Sequence, residues 1–137
     1  MSVKLDFEIP AFMPAVQTPY SEIEKMRAKY ETSLPPLSKE TRSGWVSAKE
    51  VSALLADNLA NGIRIYLGRH EDNDLEYPGQ INMILVATVD SVSLDNPTTQ
   101  NSKDQLNQSA VAGPINTVSY TGMGDDRVPL CPPNCPI

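Results

Sequence analysis

The chain has 137 residues, enough for one hydrophobic core and too few for two ordinary domains, so a single domain over 1–137 is expected. Its 40% hydrophobic content, 12 prolines and 6% aromatic residues predict a modest core with irregular arms. A formal charge of -6, with Lys and Arg dispersed, argues against nucleic acid or an anionic membrane surface as partner, because no basic excess is available to release counterions.

In chain order, residues 1–19 alternate Val3, Leu5, Phe7 and Ile9 with polar side chains before Pro10, Pro14 and Pro19 intervene, which suits a short edge strand or an extended arm. The segment lacks the apolar run of a signal peptide, and no window approaches the ~20 apolar residues that span a bilayer. A cytoplasmic protein without membrane insertion is therefore expected, with reduced cysteines. Ser21 and Glu24 form a capping box for a first helix carrying Ile23, Met26 and Tyr30 at helical spacing, and Pro35 and Pro36 end it. Lys25, Arg27 and Lys29 alternate with Met26, Ala28 and Tyr30 on that helix and read as a solvated face.

After a connector over 33–44, Ser47 and Glu50 make a second capping box, with Val46 and Val51 placed for a hydrophobic staple. Val51, Leu54, Leu55 and Leu59 give this second helix one apolar stripe, and Asn61-Gly62 supplies a left-handed stop. The alternating run 63–67 then predicts a strand, and the nearly continuous apolar run 81–89 predicts the most buried strand. The two pair as an antiparallel hairpin around a long polar loop ending in Tyr77-Pro78-Gly79.

Residues 91–110, rich in Ser, Asn, Gln, Thr and Asp, read as a surface excursion. Ile115–Tyr120 reads as a short strand, and Pro129–Pro136 as extended or polyproline II backbone. The fold class expected is α+β: two helices packed on a small antiparallel sheet in a core over 20–90, an excursion and short strand over 91–120, and extended Pro-rich arms at 1–19 and 121–137. Both arms hold too few periodic apolar positions for core elements, so at least one is expected to dock across a subunit boundary.

The segments Gly62-Ile-Arg-Ile-Tyr-Leu-Gly68 and Asn82-Met-Ile-Leu-Val86 resemble those of small uncharacterised bacterial proteins in which a similar strand pair recurs. The resemblance implies the hairpin and brings no activity.

Candidate chemistry is sparse. Cys131 and Cys135 are spaced to hold one edge of a zinc tetrahedron, but a site within the chain would need His70 and an Asp or Glu to complete it. Completion by another subunit and a local disulfide are the alternatives, and small half-buried residues in a docking tail is the plainer reading. The loop Arg69-His70-Glu71-Asp72-Asn73-Asp74-Leu75-Glu76 clusters oxygens but fails the calcium template, with Leu75 where glycine is required. Arg64 and Tyr66 on one strand face, followed by Arg69 and His70, form a candidate anion or ligand site, His being the side chain that titrates near neutrality. No Ser, Cys or paired carboxylate is placed beside them by motif, and Gly122-Met-Gly124 lacks the third glycine and the strand-to-helix context of a phosphate loop. The function expected is a structural or interaction subunit, acting as a homo-oligomer or with a protein partner, without catalytic residue or cofactor. A small enzyme or ligand-binding domain using Arg64, Tyr66, Arg69 and His70, and a zinc module on Cys131, Cys135 and His70, are the alternatives.

Overall fold

The computed structural model describes residues 17–113 and 119–136. Its elements run α1 (Tyr20–Thr32), β1 (Ser43–Gly44), α2 (Ala48–Asp57), β2 (Gly62–Arg69), β3 (Ile81–Val89), β4 (Lys103–Asp104) and β5 (Leu130–Cys131). The α+β class and the antiparallel hairpin are as expected from the sequence. β2, β3 and β4 form one antiparallel sheet in that order, and β1 pairs with β5 in a second. Residues 1–16, with the alternating N-terminal segment, and 114–118, with most of the strand expected at 115–120, lie outside the described residues.

β3 is central because its apolar run presents side chains that can be buried on both faces. Leu85 and Ala87 point into the main core, while Val86 and Thr88 are buried on the other side. The core gathers Leu54 from α2, Leu85 and Ala87 from β3, Tyr120, and Val128 and Leu130 from the C-terminal segment. Gly44 permits the close approach of β1, since a Cβ there would meet Val128 Cγ1 at 2.8 Å and Met83 Sδ at 3.0 Å.

At the start of α2 the Ser47 half of the expected capping box forms, its hydroxyl accepting the Glu50 amide at 3.1 Å, while the Glu50 carboxylate accepts from that hydroxyl at 3.3 Å. Its end is different. Asn61-Gly62 does not stop the helix; Leu59 takes the left-handed position at φ 49°, with Leu59 N–H donating to Ala56 O and Ala60 N–H to Leu55 O. Leu59 is consequently 87% exposed, Leu54 supplies the fully buried contact, and Asn61 bonds Asp90. The capping box expected at Ser21 and Glu24 also fails. The N-cap is Pro19, whose extended backbone lets its carbonyl accept from Glu22 and Ile23, leaving Ser21 inside the first turn.

The C-terminal segment is the largest correction. It is an internal strap and not an arm, with Val128, Leu130 and Cys131 buried. Its burial follows from backbone partners far away in sequence. Arg42 N–H donates to Cys131 O and Trp45 N–H to Pro129 O, while the Gln80 amide donates to Pro132 O. Nor does the backbone stay extended through Pro136, because Asn134 N–H returns to Leu130 O in a turn.

The polar stretch 91–110 lies at the surface, with Thr98 its only buried residue, and is tied to the body at its start. Asp90, fully buried, accepts Val92 and Ser93 amides on Oδ1 and the Thr98 amide on Oδ2, shaping the loop that delivers β4 to the edge of β3. The Thr98 and Ser93 amides hold the Asp90 carboxyl below its ordinary value of 3.8 against the opposing effect of burial. A depressed carboxylate stabilises the fold above its unfolded value, and that stability is lost as pH falls from about 4 through the lower folded value. Asp90→Asn should therefore flatten this acid dependence and raise amide exchange at Ser93 and Thr98 on the order of tenfold at neutral pH. Unchanged exchange at both amides would show that the loop does not depend on the carboxylate.

Candidate functional site

The polar residues singled out in β2 do not form one site. Arg64 reaches Asp104 of β4 and also donates to Thr99 O at 3.1 Å, and the Tyr66 hydroxyl donates to the same Asp104 carboxylate. The hydrogen bond to Asp104 raises the Tyr66 pKa, because the phenol is held as a donor. Arg64 and Tyr66 thus act as ties for the edge strand, spending on Asp104 the charge that an anion would need.

Arg69 lies on the opposite face of β2 and pairs with Glu40 at 2.8 Å, also donating to Gly79 O. Burial pushes Glu40 up, but the Ile81 amide, Arg69 and the Thr41 amide together hold it below its ordinary value. This cluster closes the tip of the hairpin against the connector that follows α1.

His70 falls elsewhere, in a cleft of about 540 Å³ between the hairpin loop and the C-terminal strap. The loop is shaped by Asp74, whose Oδ1 accepts the Glu76 and Tyr77 amides at 2.9 and 2.7 Å. Those bonds, Tyr77 first, hold the Asp74 carboxyl below its ordinary value. The Tyr77 ring packs on His70 with centroids 5.0 Å apart, and its hydroxyl accepts from Leu130 N–H and from the Asn134 amide at 2.7 Å. His70 Nδ1 stands 3.7 Å from Asp74 Oδ2, and its Nε2 is buried without a hydrogen-bond partner. Arg127 and Asn134 of the strap complete the walls. The Asp74 carboxylate, the His70 imidazole and the Tyr77 ring together give this cleft both donors and acceptors for a small polar molecule, while the Arg127 guanidinium is turned to the Tyr120 hydroxyl.

Cys131 and Cys135 are joined in a disulfide, so the expected reduced thiols are corrected, and their sulfurs are bonded to each other. The structure does not gather them with His70: among the described residues no group of three or more His, Cys, Asp or Glu is placed to hold a metal. A carboxyl pair that no spacing rule announced lies at the start of α2. Burial first, then hydrogen bonding to Asp125, raises the Glu50 pKa, with Ser47 and Arg127 acting in the opposite sense. Comparison with protein-family models, curated proteins and solved structures gives no match to this chain.

The sequence also gave no warning of Asp104, Asp90 or Asn58. Asn58 clamps the strap, donating to Tyr120 O at 2.8 Å and accepting Gly122 N–H at 2.9 Å. Asp104 and Asn58 act on partners 38 to 64 positions away, beyond the reach of helical or strand periodicity, whereas Asp90 organises its own loop. Among the described residues no helix is long and apolar enough to cross a membrane.

Proposed function

We propose that the protein is a structural subunit that assembles with a second copy of itself through α1. The observation that carries this reading is that α1 buries none of its residues, although Tyr20, Ile23, Met26 and Tyr30 stand on one side of it. Its C-terminal end is fixed to the body by the Tyr30 hydroxyl on Thr41 O at 2.6 Å and by Glu31 near Arg42, so the apolar stripe is presented on an anchored helix. Along the helix Glu22 and Glu24 precede Lys25, Arg27 and Lys29, with Lys25 on Glu22 and Arg27 on Glu24 within the helix and Glu31 turned to Arg42. An antiparallel pair of α1 helices sets the acidic half of one against the basic half of the other, the isologous arrangement of a two-fold dimer. This replaces the docking role expected of the C-terminal segment, whose apolar residues are already buried within the chain.

The test is mass in solution. The wild-type chain should exceed its monomer mass of 15.0 kDa. A double variant Ile23→Asp, Met26→Asp should return to the monomer with the sheet's circular-dichroism signal intact. A wild-type chain that remains monomeric at every accessible concentration would refute self-assembly. The buried, unpartnered His70 Nε2 would then favour the second reading, a small-ligand site in the His70 and Tyr77 cleft. The disulfide fits an oxidising compartment better than the reducing cytoplasm expected from the sequence.

A further inference from the structure

The two halves of the Cys131–Cys135 disulfide stand in different surroundings. Cys131 belongs to β5 and is 8% exposed, whereas Cys135 is exposed and lines an open hollow of about 320 Å³ beside Trp45, Pro129 and Pro136. One end of the bond is therefore within reach of a thiol in solution, and the other is shielded by the body of the protein. The backbone bonds that seat the strap are all made at or before Pro132: Trp45 N–H on Pro129 O, Arg42 N–H on Cys131 O and the Gln80 side chain on Pro132 O. Asn134 lies between the two cysteines, inside the ring that the disulfide closes, and it serves a different place. Its side-chain amide donates to the Tyr77 hydroxyl at 2.7 Å and to Glu76 Oε2 at 3.4 Å, across the cleft that holds His70. Both bonds are made by an exposed residue and compete with water, so they persist only while the turn that carries Asn134 is kept ordered. Asn134 N–H on Leu130 O and Cys135 N–H on Pro133 O shape that turn, and the disulfide is its covalent closure.

We propose that Cys135 is a thiol-exchange site and that the disulfide is a redox latch on the His70 cleft. Reduction by a dithiol frees Asn134 from Tyr77 and Glu76 and opens the wall between the hairpin loop and the strap, without unfolding the chain. In the first step one thiolate of the dithiol attacks Cys135 Sγ. A mixed disulfide forms there, the bond between the cysteines breaks, and Cys131 leaves as the thiolate. The second thiolate of the reagent then attacks its own sulfur in the mixed disulfide and releases Cys135. Two electrons pass to the protein, the dithiol becomes a disulfide, and the two protons it gives up leave Cys131 and Cys135 as thiols. The Tyr77 hydroxyl keeps the Leu130 N–H throughout, so β5 stays in place while the turn after it is released.

Dithiothreitol added to the folded full chain, followed by NMR, tests the latch. Reduction should go to completion without denaturant. The Asn134 side-chain amide should then exchange on the order of tenfold faster, while the amide of Leu85, which donates to Asp125 O, keeps its protection. Brief exposure to glutathione, alkylation of the thiol released and peptide mapping should place glutathione on Cys135 and the alkyl group on Cys131, in about tenfold excess over the reverse. Cys135→Ser should reproduce the reduced spectrum at Asn134, Tyr77 and His70. Reduction that proceeds only as Leu85 loses protection would overturn the proposal, making the disulfide a brace of the whole fold. Reduction that leaves Asn134 and Tyr77 unchanged would remove the latch, and glutathione found on Cys131 would remove the exchange site. These three outcomes are read on the wild-type chain, so they stand even where Cys135→Ser does not fold, and none of them depends on assembly through α1.

Discussion

Leu54→Ala should lower stability by about 2–5 kcal/mol, the range for truncating a fully buried leucine that leaves a cavity. Leu54 is 0% exposed and sits where α2, β3 and the strap meet, against Leu85, Ala87, Tyr120, Val128 and Leu130. Three segments from distant parts of the chain line the hole, so collapse around a smaller side chain would require all of them to shift. For a chain of this length, with total stability of about 5–15 kcal/mol, a loss at the upper end leaves the fold marginal. Urea denaturation followed by circular dichroism measures it. Leu59→Ala is the control: 87% exposed, it should change stability little, even though it continues the same sequence stripe. Equal losses for the two variants would contradict the packing described.

Deleting residues 128–137 should abolish cooperative folding. The deletion removes buried Val128, Leu130 and Cys131 and the whole of β5. It also leaves the Arg42 and Trp45 amides, the Gln80 side chain and the Tyr77 hydroxyl without partners they now have. Burial of Val128 and Leu130 alone contributes about 3–6 kcal/mol, and each unpaired buried donor costs about 1–3 kcal/mol more. The sum approaches the stability of the domain. The readout is loss of the thermal unfolding transition and of amide dispersion in the NMR spectrum. A tail that served as a docking arm would behave in the opposite way, with the shortened chain melting at the wild-type temperature. That result would show the strap to be dispensable.

Features written in neighbouring residues can be read directly from the chain. The Ser47 cap and its Glu50 amide lie three positions apart, so the start of α2 was legible. The alternation of β2 and the apolar run of β3 were legible for the same reason, and because both strands meet through one connecting loop their antiparallel pairing followed. Even so, periodicity misjudged Leu59, since it continues the stripe although the backbone has already left the helix, and it credited Ser21 with a cap that Pro19 provides.

The rest depends on contacts between segments far apart in the chain. Val128 and Leu130 flank Pro129, and Cys131 is followed by Pro132 and Pro133, so the run is too short to announce a core element; it becomes core because β1, Tyr77 and Gln80 offer hydrogen bonds to the backbone of Leu130, Cys131 and Pro132. Arg64 and Tyr66 look like a binding pair until Asp104, some 40 positions on, takes both. Local propensity records how a segment prefers to fold. It carries no information about which distant donor or acceptor will satisfy a group once water is excluded, and in this chain those long-range partners separate a strap from an arm and a structural tie from a site.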